Sequence, residues 1–479
     1  MPENSSKAHI TPEFLFISAI IILGIFRISA VFATQLNLGP DEAQYWRWGK
    51  TFDWGYFSKP PLVAWTIGAV TSVLGDAPWA IRFPPTFVHL GSAGFLFLAG
   101  RRIWSSQVGL IAGLSYAMMT GVWLSSLLMT TDVMLLFFWS AALFFLFRLR
   151  DEHDLFSAIG LGMAIGLGFL SKYAMVYFLI GLAFALLIDQ PMRKAVLTFR
   201  GLAILIIPVA WLTPHVIWNM NNGFKTVSHT ADNANWGTDL FHLDNAIKFI
   251  ADQLGVFGVI HFPMLCIFLL LFVLRRGIPE NRDTTILALI GFIVPPLAII
   301  TVQAFISRAH ANWAATAYPA ACLLLGWWAV SAGGWVKKAI YAGFAANLLI
   351  GGVLVTYAAL PLHTQESLGG VNSVKRLKAW PETVSEVSKL VQQYNATAII
   401  VDEREIWHGL DYYGRDGIIS VPVRAWRRQD IPKSASEEAP ITDADAKNAL
   451  VLSYRKRDLK NLLADFRTNA HVGELSISL

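Results

Sequence analysis

The 479-residue sequence predicts a polytopic α-helical membrane protein, and three observations carry that prediction. Hydrophobic residues make up 55% of the chain against 15% charged, and the mean hydropathy of +0.49 exceeds that of ordinary soluble domains. Apolar stretches of bilayer-crossing length recur from Phe14 to about Leu360, roughly eleven of them. Basic pairs punctuate alternate loops between those stretches. The net charge of +5 is gathered in these short clusters, the pattern of a topology signal rather than of a nucleic-acid surface.

Taken in order, the first apolar stretch, Phe14 to Ala33, follows a short polar tail and no small-residue cleavage site follows it. It reads as a retained helix, not a removed signal peptide. Arg101-Arg102, Arg148 to Arg150, Arg193-Lys194, Arg275-Arg276 and Lys337-Lys338 then fall in alternate loops, which the positive-inside rule makes cytoplasmic together with the N-terminus. The Asp41 loop, the Asp132 turn, the segment from Asn219 to Asp244 and the tail after Leu360 share the opposite face, the periplasm if the membrane is a bacterial inner membrane. Cys266 and Cys322 both lie inside apolar stretches, so no disulfide framework is expected. Composition changes after Leu360, which divides the chain into a membrane domain of residues 1–360 and a periplasmic domain of residues 361–479. In the latter, Pro381 suits the first turn of a helix reaching about Tyr394. Thr397 to Val401 and Ala449 to Leu452 read as short strands of a small soluble α/β unit.

The chemistry-bearing residues crowd the predicted periplasmic face. Asp41 and Glu42 follow Leu38-Gly39-Pro40 at the mouth of a hydrophobic bundle, where idle carboxylates are costly. Downstream, Gly55-Tyr56-Phe57-Ser58-Lys59-Pro60-Pro61-Leu62 leads into a short apolar run suited to an interfacial helix. That geometry holds Lys59 near the headgroup plane, within reach of a lipid phosphate. Arg82, Asp132, Lys172, Arg308 and His310 come from further loops on the same side. A reaction between an acceptor hydroxyl and a phosphate-activated group needs both kinds of charge: a carboxylate to take the proton and cations to stabilise the departing phosphate.

Each residue also has a plainer role open to it. Asp41-Glu42 and Asp132 suit helix caps, and Lys59, Arg82 and Lys172 suit interfacial anchors that snorkel. Trp46, Trp48, Trp54 and Tyr56 suit an aromatic belt. His215 and His229 match no standard metal-ligand spacing. Convergence on one face favours chemistry.

In their order along the chain these residues resemble the dolichyl-phosphate-mannose protein mannosyltransferase superfamily, glycosyltransferase family 39, and within it the bacterial branch with the lipid A aminoarabinose transferases. The resemblance runs from Asp41 to about Pro319 and rests on Asp41-Glu42, Lys59-Pro60-Pro61-Leu62, Arg82 before a proline, Thr131-Asp132, Lys172, the Pro214 to Gly223 run, Asn312-Trp313 and Tyr318-Pro319. It implies a C-type glycosyltransferase fold and a polyprenyl-phosphate sugar donor used on the periplasmic face. It also implies Asp41 as the catalytic carboxylate with Glu42 as its partner, Asp132 as the second acidic position, and Lys59 with Tyr56 near the lipid phosphate. Arg82, Lys172, Arg308 and His310 are further candidates around that phosphate. The aminoarabinose transferases carry a glutamate, associated with a bound metal, directly before Lys-Pro-Pro. Ser58 stands there in this chain, so no metal ligand is assigned and a divalent ion remains an open alternative.

The expected function is therefore transfer of one sugar from a polyprenyl phosphate to a periplasm-facing acceptor, with inversion. Lipid A, lipopolysaccharide, another envelope glycan and protein all stay open as acceptors. The rival class is a transporter or flippase of a lipid-linked saccharide. Such proteins show paired repeats and midplane helix breaks, whereas here the charged motifs crowd one face and no second half echoes the first.

Overall fold

The structure is a computed structural model that describes residues 10–237, 239–276, 283–368, 377–429, 432–439, 441–454 and 456–475. The first helix, Pro12–Ala33, starts on Thr11, whose hydroxyl accepts from the Phe14 N–H at 3.2 Å. It buries Leu23, Arg27 and Val31 yet leaves Ile17, Ile21, Ile22 and Ile25 exposed. Apolar side chains on both faces mark a helix whose outer solvent is lipid. Further helices share that character, and Tyr318–Ala332 lies at the centre, buried along nearly all its length.

Among the described residues six helices are long and apolar enough to cross a membrane, and two sharply bent helix pairs raise that to as many as eight. Leu62–Leu74 and Leu155–Ser171 are shorter apolar helices. The expected eleven spans thus include elements that length and composition alone do not qualify. The bent pairs show why: Leu243–Val256 meets His261–Val273 at 116°, so one apolar run becomes two directions.

The loop charges sort to opposite ends of this bundle. At one end Arg148 pairs with Glu152 at 2.8 Å and Arg150 with Asp189 at 2.8 Å, while Arg102 bonds Glu152. These are the basic clusters assigned to one side by their alternation. At the other end lie Asp41, Lys59, Asp132 and Lys172.

At that second end, residues 34–82 form a folded cap on the bundle. Helix Pro40–Gly49 crosses helix Leu62–Leu74 so closely that a Cβ on Gly68 would meet the Gly49 carbonyl oxygen at 2.4 Å. Beneath the crossing Glu42 is buried and salt-bridged to buried Arg82: Nε donates to Oε1 at 2.9 Å and Nη2 to Oε2 at 2.6 Å. Glu42 also accepts from the backbone N–H of Gly39 at 2.9 Å and of Met129 at 3.0 Å. Arg82 donates to the carbonyls of Leu36 and Asn37, both at 2.8 Å. The pair thereby joins four segments.

The C-terminal part carries a three-stranded parallel sheet of β1 (Ala398–Val401), β2 (Val423–Ala425) and β3 (Ala449–Leu452), in the order β2-β1-β3. Ile399 stands opposite Val423 on one side and Leu450 on the other. Helix Trp380–Gln393, with Pro381 in its first turn, and helix Arg404–Tyr413 pack on the sheet through Val384, Val387, Ile406 and Leu410. The stretch 369–376, next to the expected domain boundary, lies outside the described residues.

Helix Arg404–Tyr413 has a second face, and it docks on helix Pro40–Gly49. The Leu38 N–H donates to the Tyr413 hydroxyl at 2.7 Å, the Tyr412 hydroxyl donates to the Asp76 carbonyl, and Trp46 meets Tyr412 edge-on at 4.9 Å. The sheet is thus held directly above the cap.

Removing one member of a buried ion pair leaves its partner uncompensated, at a cost of about 3–5 kcal/mol. Glu42→Ala should therefore lower the melting temperature in detergent markedly. Asp41→Ala removes only a solvent-reachable pair and should move it little. A Glu42→Ala protein that melts like the parent would show that other contacts hold the cap.

Candidate functional site

The adjacent acids of the first loop have separate fates, because they sit at successive positions in one helical turn and diverge by about 100°. Glu42 points inward, where all of its acceptor sites are engaged as described above. Asp41 points outward, with its side chain 57% exposed. Its Oδ1 accepts from Nη2 of Arg404 at 2.6 Å, and Nη1 of the same guanidinium donates to Oε1 of Gln44 at 2.8 Å. Burial by the surrounding protein acts to raise the Asp41 carboxyl, but Arg404, Lys59 and His408 outweigh it and hold the group below its ordinary value.

Lys59 faces the same space from the turn before Pro60-Pro61. Among the described residues no carboxylate or carbonyl accepts from its ammonium. Desolvation and then the neighbouring Lys172 and Arg404 charges lower its pKa, against the pull of Asp41 and Asp132. These five charges therefore share one field. Asp132 is already neutralised within it: Lys172 donates to Oδ1 at 2.8 Å and Asn312 to Oδ2 at 2.8 Å. The hydroxyl of Thr130, at the cap position of that helix, makes no capping bond, and Asp132 serves to tie three loops together. His229 lies edge-on to Phe57 at 6.0 Å. Burial, followed by the Lys59 and Arg404 charges, pushes its pKa down to about 4, so it is neutral at pH 7.

Other expected site residues have different partners. Arg82 is sealed against Glu42 and cannot swing to a phosphate without breaking the cap. The Tyr56 hydroxyl donates to the Thr51 carbonyl and accepts from the Asp53 N–H at 3.2 Å, and its ring stacks on Trp48, so it braces the loop. Arg308 and His310 are exposed and line a cavity of ≈ 250 Å³ with Asn245, Lys248, Phe249 and Asp252. The His310 pKa is lowered by burial first and then by Arg308 and Lys172, which keeps it in electrical reach of the Asp41 group. His215 is a structural tie: one ring nitrogen meets the Trp54 carbonyl at 2.6 Å and the other the Tyr173 hydroxyl at 2.6 Å.

Ser58 is buried and within 3.5 Å of the Gln44 amide. Among the described residues no three His, Cys, Asp or Glu side chains converge. The chemistry on hand is that of ionised side chains: an accessible carboxylate in the electrostatic reach of a lysine that has no acceptor among the described residues.

Arg404 is the residue that the sequence reading missed. It lies three positions beyond β1, the central strand of a parallel sheet, at the start of the following helix. The carboxyl ends of central strands are where open parallel sheets meet ligands. The run Ala398-Ile399-Ile400-Val401 followed by Asp402-Glu403-Arg404-Glu405 held that signal.

A family profile described as dolichyl-phosphate-mannose-protein mannosyltransferase matches residues 58–218. The chain is 32% identical over 433 residues to the lipid A galacturonosyltransferase RgtD of Rhizobium johnstonii, covering 89% of this chain and 88% of that protein. It is 31% identical over 226 residues to the lipopolysaccharide core galacturonosyltransferase RgtA of the same organism, covering 46% of this chain and 44% of the relative. Among solved structures, ArnT from Cupriavidus metallidurans bound to undecaprenyl phosphate superposes with a TM-score of 0.59 at 15% identity, covering 87% of this chain and 86% of that one. The shared fold, the family profile and the near full-length relative agree: this chain belongs to the bacterial branch of the dolichyl-phosphate-mannose protein mannosyltransferase superfamily of membrane glycosyltransferases, not to the transporters of lipid-linked saccharides.

Proposed function

We propose that this protein transfers a galacturonosyl group from a polyprenyl phosphate to lipid A or the lipopolysaccharide core, on the periplasmic face of a bacterial inner membrane. The observation that carries the reading is the pair of Asp41 and Lys59, an accessible carboxylate and a lysine with no acceptor among the described residues, in one electrostatic field at the bundle end opposite the basic loop clusters. The near full-length similarity to a lipid A galacturonosyltransferase supports the sugar and acceptor. Likeness in fold to a structure holding undecaprenyl phosphate supports the donor class.

In this reading Asp41 takes the proton of an acceptor hydroxyl as its oxygen attacks the anomeric carbon from the side opposite the phosphate. The new acceptor-oxygen to carbon bond forms while the bond from that carbon to the phosphate oxygen breaks, and configuration inverts. Polyprenyl phosphate leaves with one more negative charge than it carried as a diester. Lys59 lies where that charge develops, and Lys172, anchored by Asp132, adds a second positive charge to the field. The leaving group needs no proton, so one carboxylate suffices. Glu42 and Arg82 act beneath, as the frame that aims Asp41.

Purified protein in detergent, given polyprenyl-phosphate galacturonate and lipid A, should yield a product heavier by one galacturonosyl residue in mass spectrometry. Failure to form it, with the donor and acceptor verified by another enzyme, would overturn the assigned substrates.

Asp41→Asn keeps the shape and cannot take the proton. Loss of a general base costs about a hundred- to ten-thousandfold in rate, and melting behaviour should stay near that of the parent. Because the deprotonated form is active and its pKa is held low, kcat/KM should be level through neutral pH. It should fall only on acidification past the ordinary carboxylate value of about 4. Near-normal turnover of Asp41→Asn would return Asp41 to a purely structural role.

Lys59→Ala should cost about a hundredfold or more in kcat/KM for the donor. Lys59→Arg should retain part of it, since charge survives and geometry changes. Unchanged donor kinetics in the alanine variant would make Lys59 an interfacial anchor.

A further inference from the structure

The C-terminal sheet sends one cation into the membrane domain's site. Arg404 begins the helix that follows central strand β1, and that helix is fixed on the cap through Tyr412 and Tyr413. Its side chain is 41% exposed while the guanidinium is bonded to Asp41 and Gln44. A planar guanidinium fork with an open flank is the geometry that receives a carboxylate.

Charge counting gives this cation a task. Lys59, Lys172 and Arg404 face Asp41 and Asp132, a net charge of +1 from three cations and two anions. A phosphodiester monoanion at Lys59 offsets that excess. A second negative charge on the transferred sugar must then compete for a cation already held by an acid. Lys172 is bound into a three-loop tie with Asp132 and Asn312, whereas Arg404 is held at a solvent-reachable acid. Arg404 is the cation that can be shared.

We propose that Arg404 is the specificity-determining residue for an acidic sugar: it receives the carboxylate of a uronosyl donor, and in turning to it releases Asp41 to act as base. This rests on the polyprenyl-phosphate reading above and deepens it by assigning the sugar's carboxylate a partner. A donor with a neutral hydroxymethyl group at the same carbon leaves Asp41 clamped, so the enzyme discriminates by rate as well as by binding. The soluble part is thereby a component of the catalytic site and not an appendage.

The test compares two donors that differ only at that carbon, polyprenyl-phosphate galacturonate and polyprenyl-phosphate galactose, with lipid A as acceptor. The parent protein should favour the uronosyl donor by about a hundredfold or more in kcat/KM, because a site built for a charged group rejects the analogue lacking it. Arg404→Gln should cut that ratio at least about thirtyfold with its melting behaviour retained, and Arg404→Lys should keep part of it. Asp41→Asn should depress both donors, the uronosyl donor more because release of the base no longer adds to its rate, while the binding preference given by Arg404 remains, which separates the base from the selector. A parent indifferent to the carboxylate overturns this inference, and so does an Arg404→Gln protein that loses both donors equally or keeps the parent's ratio. A parent that transfers neither sugar from polyprenyl phosphate overturns the underlying donor reading instead.

Discussion

Glu42 and Arg82 form a charged pair in a place where neither charge could survive alone. Both side chains are almost wholly buried, and every strong bonding direction is taken by the partner or by the backbone of Leu36, Asn37, Gly39 and Met129. Pairing and full hydrogen bonding are the conditions under which a buried ion pair is tolerated. Here they also fix where the first membrane helix ends, where helix Pro40–Gly49 begins and where the chain before Thr130 passes. Asp41 inherits its outward direction from that arrangement, because its neighbour in the same turn is pinned inward.

The site above this pair is a small ensemble of charges kept in reach of one another by different elements. Asp132 is satisfied by Lys172 and Asn312, Asp41 is engaged by Arg404, and Lys59 is without an acceptor among the described residues. In a medium poorer than water in screening, one uncompensated cation attracts an anionic leaving group strongly. The neutral His229 beside it adds no competing charge. An acid that is accessible yet paired offers a different property: its basicity depends on what else its partner can bind.

The C-terminal sheet is positioned by aromatic and backbone bonds to the cap, through Tyr412, Tyr413 and Trp46, more than by its own small core. Its central strand therefore points its carboxyl end at the membrane domain's acids. A short parallel sheet, common in soluble enzymes, is used here to deliver a single guanidinium.

Much of this was legible in the chain. Hydropathy and basic clusters determined a polytopic helical protein with two chemically different ends, because lipid admits only apolar helices and each loop charge must lie at an end. The order of Asp41, Lys59, Asp132 and Lys172 pointed to the family and to most of the candidate site, and the apolar runs near Ile399 and Leu450 marked two of the three strands, while Val423–Ala425 was not read as one. Adjacent acids carry identical chemistry, so composition and spacing do not separate Asp41 from Glu42; the family resemblance assigns the base to Asp41, and the position of Arg82 shows that Glu42 is the one sealed. The bonds of Tyr56 were hidden for a similar reason: a hydroxyl in an aromatic loop looks available until the fold brings the Thr51 carbonyl to it. Arg404, more than 360 residues from Asp41, has no local pattern that names its partner. Only the tertiary structure brought the two within 2.6 Å, because long-range ion pairs are set by how whole elements dock and not by spacing along the chain.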